Sequence, residues 1–365
     1  MQAWLHAAPR RRKVVVEGLG LFGWSSLDAF QVGCTVIVLL FGPLCDTGVA
    51  QSLVLQERWR ASGFDLASVA GMVESEDGRI LVSDPRNATV ISFDSTGRFQ
   101  RVWLRPGDGP GEVRGPQLLA RVPTGSVLLL DVGHGSIEVF DQHLAFRRRV
   151  PLQPRITNPK GMVAIGNDEA LISGWRSGAT TVVHSIDSTG GTRASWIVGP
   201  STRNPRAASI IAGGALGLGP SGEILFTQAS PHAIHMLSPG DSSFQVIVSD
   251  PRVLPIVGDQ AVRVQGTGTD RRVSFWWSFP RSVFVHSLPG GMLLNVVLFE
   301  DEGYTIWEIY DRSGRQRASQ RVTKAYMPWS VTANGDLLCS YETEEGVPVA
   351  ARVSLTLQGM AESPR

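Results

Sequence analysis

The sequence is poor in cysteine, and this scarcity excludes a disulfide-stabilised fold. Only three of its 365 residues are cysteine, and two of them, Cys34 and Cys45, lie in an apolar N-terminal segment. If that segment is removed, Cys339 alone remains and no intramolecular disulfide can form. Because Cys339 lies within an apolar strand pattern, it is predicted to be a small buried hydrophobic residue.

An excess of charge is also absent. The chain contains 34 basic and 33 acidic residues, and its formal net charge is +1. Residues 1–50 hold four of the basic and three of the acidic residues, so 30 of each remain after them. Since nucleic-acid binding depends on a concentration of Lys and Arg, this balance argues against a nucleic-acid partner.

The sequence lacks a recognisable catalytic motif. No GxSxG nucleophile pattern occurs, and the seven histidines are scattered, with His232 and His235 as the one close pair. His134 could be a metal ligand, but its Gly-His-Gly loop favours a solvated side chain. A formal Gly-rich dinucleotide fingerprint at 18–23 precedes an apolar run and not a βαβ unit. We therefore predict no catalytic residues, no metal site and no cofactor.

The N-terminal 50 residues resemble an export segment. A basic run at 10–13 precedes an apolar stretch that ends near Cys45, and the small residues Gly48 and Ala50 suit cleavage after Ala50. The apolar run from Val32 to Cys45 is short for a membrane span. Residues 1–50 are therefore predicted to be a signal peptide, with a retained membrane anchor as the alternative. The same length would also follow from a start codon assigned too early.

An internal repeat determines the predicted architecture. Six times a turn pair precedes a short apolar strand, and the second turn residue is Gly at five sites and Asp168 at the sixth. These positions, 78, 125, 168, 222, 291 and 335, lie 47, 43, 54, 69 and 44 residues apart. Such spacing suits one four-stranded propeller blade per repeat, with positive φ in a two-residue hairpin turn. Residues 51–365 are therefore predicted to form an all-β, six-bladed β-propeller.

Each repeat continues into a second strand pair, and the last repeat is short. Four of the repeats have an aspartate after an apolar strand, which is interpreted as a turn residue and not as a catalytic carboxylate: Asp94, Asp141, Asp187 and Asp311. The sixth repeat lacks its outermost strand, whereas Leu53 to Trp59 has strand character and no partner. We predict that this N-terminal strand pairs with blade six and closes the ring.

With these blades assigned, the chain resembles the bacterial exported six-bladed propellers of the NHL-like and TolB-like kind. The resemblance is carried by the segment GDGPGE at 107–112, by Gly115-Pro116 at the entry to a blade, and by the repeated turn and Asp-x-x-Gly pattern. It covers roughly residues 53–358. Relatives of this kind include binding modules, sugar-lactone hydrolases and peptide-amidating lyases, so the resemblance implies a fold and not an activity.

Proline marks the start of four blades and indicates a candidate site. Equivalent positions on innermost strands should surround one mouth of the central channel. The residues that follow the four prolines are Gln117, Lys160, Arg281 and Trp329. Two cations, an amide and an indole suit a ligand with an anionic part and a planar or sugar-like part. Ordinary solvated rim residues are the alternative interpretation.

The 69-residue interval between repeats four and five is longer than one blade needs. It contains Arg263, Arg271 and Arg272, followed by the adjacent tryptophans Trp276 and Trp277. Adjacent strand residues point to opposite faces, so one indole could be exposed or cover the channel. Aromatic anchors beside arginine are typical of binding hot spots, whereas packing of both indoles between blades is the alternative.

These patterns together predict a monomeric, exported propeller of the cell envelope. Its channel mouth is predicted to bind a small ligand or a protein or peptide segment without catalysis. A hydrolase or lyase of the lactonase-like kind, with a channel metal, is the alternative. The Lys, Arg and Trp at the blade entries argue against a calcium site, which needs oxygen ligands. A third hypothesis is a scaffold that uses its rim in an envelope assembly.

Overall fold

The computed structural model describes residues 52–166, 169–199, 211, 213–228, 232–249, 262–265, 272–275 and 280–358. All of them belong to one compact unit, Gly48–Arg365. The predicted signal segment, residues 1–50, lies outside the described residues. None of the helical residues among those described forms a segment long and apolar enough to cross a membrane.

Antiparallel sheets of four strands each form the first three blades. Blade one comprises β2 (Gly71–Glu74), β3 (Ile80–Asp84), β4 (Thr89–Phe93) and β5 (Phe99–Leu104). Blade two comprises β6 (Pro116–Arg121), β7 (Val127–Asp131), β8 (Ser136–Phe140) and β9 (Phe146–Pro151). Blade three comprises β10 (Ile156–Ala164), β11 (Ala170–Arg176), β12 (Thr181–Ile186) and β13 (Thr192–Val198). The strands of each blade follow one another in chain order.

Three further four-stranded sheets complete the propeller. Blade four comprises β14 (Leu216–Leu218), β15 (Ile224–Gln228), β16 (Ala233–Leu237) and β17 (Gln245–Ser249). Blade five comprises β20 (Arg281–Leu288), β21 (Met292–Phe299), β22 (Tyr304–Tyr310) and β23 (Gln316–Val322), with a 3-10 turn at Pro289–Gly291. Between them, β18 (Val262–Gln265) and β19 (Arg272–Phe275) form a separate hairpin within the long interval.

The N-terminal strand closes the ring, as predicted. Blade six is built from β24 (Met327–Val331), β25 (Leu337–Glu342) and β26 (Pro348–Gln358), with β1 (Ser52–Arg60) as its outermost strand. The pairing of β1 with β26 is antiparallel and runs from Ser52 opposite Gln358 to Arg60 opposite Ala351. The two ends of the propeller chain are therefore joined within one sheet, and the six-bladed prediction is confirmed.

The core of the protein lies between the blades. Six clusters of buried hydrophobic residues each draw on two neighbouring blades, and the cluster that joins blades six and one includes Leu338, Ala350, Met72 and Ile80. The innermost strands β2, β6, β10, β14, β20 and β24 contact one another around the ring. They approach so closely that a Cβ added at Gly217 of β14 would lie 2.0 Å from the Val285 carbonyl oxygen of β20. Glycine is therefore required there by space.

The repeated hairpin turns differ in length from the prediction. Positive φ is confirmed at Gly78, Gly125, Gly222, Gly291 and Gly335, whereas position 168 lies outside the described residues. The two-residue loop is wrong, because in blade one the Ser75 N–H donates to the Arg79 carbonyl and leaves three residues between them. Gly78 then donates its N–H to the Ser75 carbonyl at 3.0 Å. A type I turn followed by a left-handed glycine has this form, and glycine remains the preferred residue.

The aspartates of the second hairpins are turn residues, as predicted. The Asp94 carboxylate accepts backbone N–H donors from Thr96 at 2.8 Å and Arg98 at 3.0 Å. Asp141, Asp187 and Asp311 each accept the corresponding two backbone donors. The hydroxyls of Thr96, Thr189 and Ser313, together with these backbone donors, lower the pKa of Asp94, Asp187 and Asp311, the last to about 2. Backbone donors are the main cause of the lowered pKa of Asp141. Each of these aspartates uses its Oδ1 to hold the turn of its own hairpin, which gives it a structural role.

Candidate functional site

The four residues predicted from the proline positions line one cavity at the channel mouth. Gln117, Lys160, Arg281 and Trp329 surround a space of about 200 Å³, which we name the inner cavity. Ser282 lines it as well, and its other described lining residues are apolar: Ala70, Leu118, Pro159, Ile211, Gly213, Gly214, Ala215, Val283 and Met327. Residues from blades two, three, five and six therefore meet at one place, as equivalent positions of a propeller should.

A β-bulge lies at each of the four blade entries. Register shifts occur between Pro116 and Leu119, between Thr157 and Gly161, between Ser282 and Phe284, and between Pro328 and Ser330. The innermost strand of a blade has an unpaired edge, which tolerates a residue without an N–H donor. Bulges re-aim the side chains beside them. The prolines therefore mark the positions where the strands depart from regular pairing and present side chains to the channel.

Lys160 is the cation with the least compensation in the inner cavity. Its Nζ donates one hydrogen bond, to Asn158 Oδ1 at 3.1 Å, and Asn158 holds this position with a left-handed φ of 53°. No described carboxylate lies within ion-pairing distance of the ammonium. Burial and the positive charge of Arg281 lower the pKa of Lys160 to about 8, and the weaker effect of the Glu300 charge opposes them. An ammonium has three donors, so two of them are available to a ligand.

Arg281 connects the inner cavity with a larger surface groove. Its Nη1 lies 2.7 Å from Glu300 Oε2, and the carboxylate side chain is 57% exposed. Arg281, Met327 and Trp329 line both the inner cavity and an outer groove of about 830 Å³. The outer groove has charges of both signs, from Arg60, Arg86, Glu300, Lys324, Glu342 and Glu344. A small molecule could therefore pass from solvent through this groove to Lys160.

Trp329 and Gln117 supply a fixed wall and an amide. The indole Nε1 of Trp329 donates to Ser340 Oγ at 2.8 Å, which fixes the ring in a partly buried position. Trp329 also packs against two of the inter-blade hydrophobic clusters. The Gln117 backbone carbonyl accepts a hydrogen bond from the buried Ser83 hydroxyl, so its strand is held from the neighbouring blade. These contacts preorganise the cavity before any ligand binds.

A buried polar chain begins at the inner cavity and was missed by the sequence analysis. Ser282 Oγ lies 3.4 Å from His232 Nδ1, and His232 Nε2 lies 3.7 Å from Glu308 Oε2. Glu308 also accepts hydrogen bonds from Asn295 at 2.8 Å and from Tyr310 at 3.0 Å. The order hydroxyl, imidazole, carboxylate is that of a nucleophilic triad, which is recognised by geometry and not by sequence position. The three residues come from distant points of the chain, so no local motif could have indicated them.

A second polar cluster, in blade two, lies apart from the inner cavity. His134 contacts Asp131 Oδ2 at 2.8 Å and Asp108 Oδ1 at 2.9 Å, so the prediction of a simply solvated loop histidine is wrong. Asp131, His134 and Glu138 have ligand atoms within 4.8 Å of one another, a spacing that could hold a metal ion. Asp131, however, accepts backbone N–H donors from four loop residues: Arg114, Gly115, Gly133 and His134. Its oxygens are used to fix the loop, and Arg149 pairs with Glu138 at 2.7 Å.

The inner cavity itself does not have the donors of a metal site. Its described lining residues include no carboxylate, no imidazole and no thiol, and two of them are cations. Calcium and magnesium need several oxygen ligands, and carboxylates are the usual source. These described residues therefore do not fit the channel metal of a lactonase-like enzyme. The two other predicted site residues, Trp276 and Trp277, lie outside the described residues.

Comparison with known proteins identifies the fold. No family model matches the chain, and no curated protein matches it. A solved Bacteroides fragilis protein described as exported has 10% identity and a TM-score of 0.54, covering 85% of this chain and 96% of its own. A DUF4221 family member from Bacteroides vulgatus has 9% identity and a TM-score of 0.55, covering 85% and 99%.

A third solved structure, described as a gluconolactonase, has 11% identity and a TM-score of 0.50, covering 84% of this chain and 94% of its own. At such low identity these likenesses concern the fold alone, because one propeller fold supports many functions. The chain is therefore a six-bladed β-propeller similar to these three proteins, and its function has to be argued from the inner cavity.

Proposed function

We propose that this protein is an exported, monomeric binding propeller that takes a small carboxylate-bearing ligand into the inner cavity without catalysing a reaction. The ligand's anionic group contacts Lys160 and Arg281, and its apolar or planar part lies against Trp329. Gln117 supplies an amide that can bond either a carbonyl or a hydroxyl group. Export is supported by the signal-like residues 1–50 and by the likeness to a protein described as exported.

The main support for this proposal is the poorly compensated charge of Lys160. A cation that is largely removed from solvent costs free energy unless an anion or several acceptors compensate it. Lys160 has one acceptor, and the nearby Arg281 adds repulsion. A residue that lowers stability and faces a preformed cavity indicates a functional site, since functional sites are where such a loss of stability is tolerated. A carboxylate ligand would provide the missing counter-charge.

Binding can be tested with benzoate and D-gluconate, each compared with its uncharged amide. We expect the carboxylates, at about ten times their dissociation constants, to stabilise the full-length protein by about 1.4 kcal/mol, whereas the amides should have little effect. Lys160→Met and Arg281→Gln should each weaken carboxylate binding at least tenfold in calorimetric titration, because each removes a cation from the site. The control, Arg101→Gln, removes an exposed arginine of β5 and should bind normally.

Either of two results would contradict the proposed ligand class. One is that neither carboxylate stabilises the protein more than its amide does. The other is that both carboxylates bind equally well to the wild type and to the Lys160→Met, Arg281→Gln double variant. Binding that survives the double variant would favour the scaffold hypothesis, in which the rim and not the inner cavity makes the contact.

The polar chain Ser282, His232 and Glu308 favours a second candidate function, that of an ester or lactone hydrolase. Ser282 is both a lining residue of the inner cavity and the hydroxyl end of this chain. Lys160 and Arg281 would then bind a carboxylate of the substrate beside the acyl group. The distances of 3.4 Å and 3.7 Å are longer than those of a working triad, but such contacts often shorten only when substrate binds.

A fluorophosphonate probe distinguishes the two candidate functions. If the protein is a serine hydrolase, the probe should label Ser282, and Ser282→Ala should abolish labelling and lower p-nitrophenyl acetate hydrolysis at least a hundredfold. Ser287→Ala, a change on the same strand, should leave both unchanged. If the wild type is not labelled and Ser282→Ala hydrolyses the ester as fast as the wild type, the hydrolase candidate is rejected.

A further inference from the structure

The inner cavity combines an amine with a second cation, an arrangement that suits one particular electrophile. Lys160 Nζ lies in the cavity wall with Asn158 Oδ1 as its one acceptor, while Arg281 faces the same space and pairs with Glu300 at its outer side. Because both side chains line one cavity, a molecule whose carboxylate lies against Arg281 can present its adjacent carbon to Lys160. If that carbon is a carbonyl carbon, the amine can attack it.

We propose that Lys160 captures 2-oxo acids by forming a reversible imine in the inner cavity. This inference rests on the proposed function, because it names the class of carboxylate that the cavity takes. The carboxylate binds Arg281, the 2-oxo group reaches Lys160, and the remaining substituent lies against Trp329 and the apolar wall. The volume of about 200 Å³ suits a small acid of this kind.

The step is a condensation in which one water molecule leaves. The nitrogen lone pair of the neutral amine forms a bond to the carbonyl carbon, and the C=O π electrons move to oxygen, which takes up a proton. Loss of a proton from nitrogen gives a neutral carbinolamine. Expulsion of its protonated hydroxyl as water then leaves the C=N bond of a protonated imine. No electrons are gained or lost overall, so no oxidant or reductant is needed. Hydrolysis reverses the capture.

The surroundings of Lys160 favour the neutral amine that this step requires. Burial is the main cause of the lowered pKa, the charge of Arg281 adds to it, and Glu300 is the charged group that opposes both. With a pKa of about 8, the neutral fraction at pH 7.5 is roughly two hundred times that of an ordinary lysine. Hydrogen bonding to Asn158 also fixes the direction of Nζ.

The chain provides its own control, because its only lysines are Lys13, Lys160 and Lys324. Lys324 lines the outer groove, yet its Nζ contacts Glu57 Oε2 at 2.7 Å and lies 3.5 Å from the centroid of the Tyr341 ring. Despite partial desolvation, the hydrogen bond to Glu57 and the nearby Tyr341 and Tyr326 side chains raise the pKa of this amine. Lys324 should therefore stay protonated and unreactive at a pH where Lys160 reacts.

Reductive trapping tests the inference on the full-length protein. Incubation with pyruvate and cyanoborohydride should convert the imine into a stable secondary amine, and peptide mass mapping should place the adduct on Lys160. We expect at least tenfold more adduct on Lys160 than on Lys324, no adduct at position 160 in Lys160→Arg, and half-maximal labelling near the pKa of about 8. Benzoate should compete with pyruvate, since both use Arg281.

The outcomes separate this inference from the proposed function. If carboxylates bind in a Lys160-dependent manner but pyruvate leaves no adduct, the imine is wrong and the binding site stands. If Lys160 is not labelled and carboxylates do not bind either, both the imine and the proposed carboxylate-binding function are wrong. Equal labelling of Lys160 and Lys324 would reflect the general reactivity of lysine and would also overturn the inference.

Discussion

Deletion of residues 52–60 is expected to abolish the cooperative unfolding of the propeller. β1 contributes eight paired residues to the sheet of blade six, and Leu53 is 3% exposed within the cluster that joins blades five and six. The loss of one buried leucine side chain costs about 2–5 kcal/mol. Loss of the whole strand should therefore remove an amount comparable with the 5–15 kcal/mol that stabilises a typical domain.

β1 also holds neighbouring blades together through polar contacts. The Leu53 N–H donates to Gln320 Oε1 of blade five at 2.9 Å, and Glu57 accepts hydrogen bonds from Lys324 at 2.7 Å and from Tyr326 at 2.9 Å. Next to β1, the Ala61 N–H donates to the Ala350 carbonyl, and Ser62 bridges Arg98 of blade one. Without β1, the long strand β26 would be left as an open edge that can pair with other chains.

Urea denaturation followed by near-ultraviolet circular dichroism measures this effect. The matched point variants are Leu53→Asn and Val54→Asn, since these neighbours point to opposite faces and Val54 is 39% exposed. Leu53→Asn should lower the unfolding free energy by at least 2 kcal/mol, and Val54→Asn by less than about 0.5 kcal/mol. An unchanged transition after the deletion would show that β1 does not close the ring.

The intact mass of the exported protein tests the proposed signal peptide, because cleavage after Ala50 predicts a chain that starts at Gln51.

The ring closure and the inner cavity could be predicted because each rests on a repeated pattern. The last repeat lacks its outermost strand, and an unpaired strand precedes the first repeat. In a closed ring the unpaired strand can fill that one place. The four proline positions come together for the same reason, since symmetry-related strand entries surround one channel mouth. Strand order and the positions of the blade entries relative to the turn glycines were enough for both predictions, and side-chain contacts were not required.

Other features could not be read from the sequence because they depend on contacts between distant segments. Ser282 lies 50 residues from His232 and 26 residues from Glu308 in the sequence, and blades four and five supply the three residues. The sequence does not reveal that Asp131 fixes a loop, because an aspartate at the end of a strand could equally be a metal ligand or an exposed side chain. The long interval indicated only that more residues lie there than one blade needs, and the pairing of β18 with β19 could not be deduced from length.

Replacement of Lys160 by methionine is expected to stabilise the protein at neutral pH. Burial and Arg281 lower the pKa of Lys160 from its ordinary value of 10.5 to about 8. The unfolded chain therefore binds more protons than the folded chain between these two values, so the unfolding free energy of the wild type rises with pH across that interval. At pH 7 the charged ammonium costs at most about 3 kcal/mol, because each pKa unit corresponds to about 1.4 kcal/mol. Methionine has a similar shape and no charge, so a gain of about 1–3 kcal/mol is expected.

The pH dependence separates this electrostatic gain from ordinary packing. The advantage of Lys160→Met over the wild type should shrink by roughly half between pH 7 and pH 9.5, because the wild-type amine loses its proton over that range. A packing contribution would not change with pH. The titration of other groups, such as the Cys339 thiol, whose pKa is raised by burial, cancels when the two proteins are compared at each pH.

Lys324→Met is the matched control and should have the opposite sign. Its contacts with Glu57 and the Tyr341 ring raise the pKa of Lys324, so its charge stabilises the folded state at neutral pH and this contribution is lost only as the pH rises through the raised pKa. The variant should therefore be less stable than the wild type at pH 7. If Lys160→Met were no more stable than the wild type at pH 7, the charge of Lys160 would not lower the free energy of unfolding. A ligand at the inner cavity would then lose its main support, because a compensated lysine needs no anion.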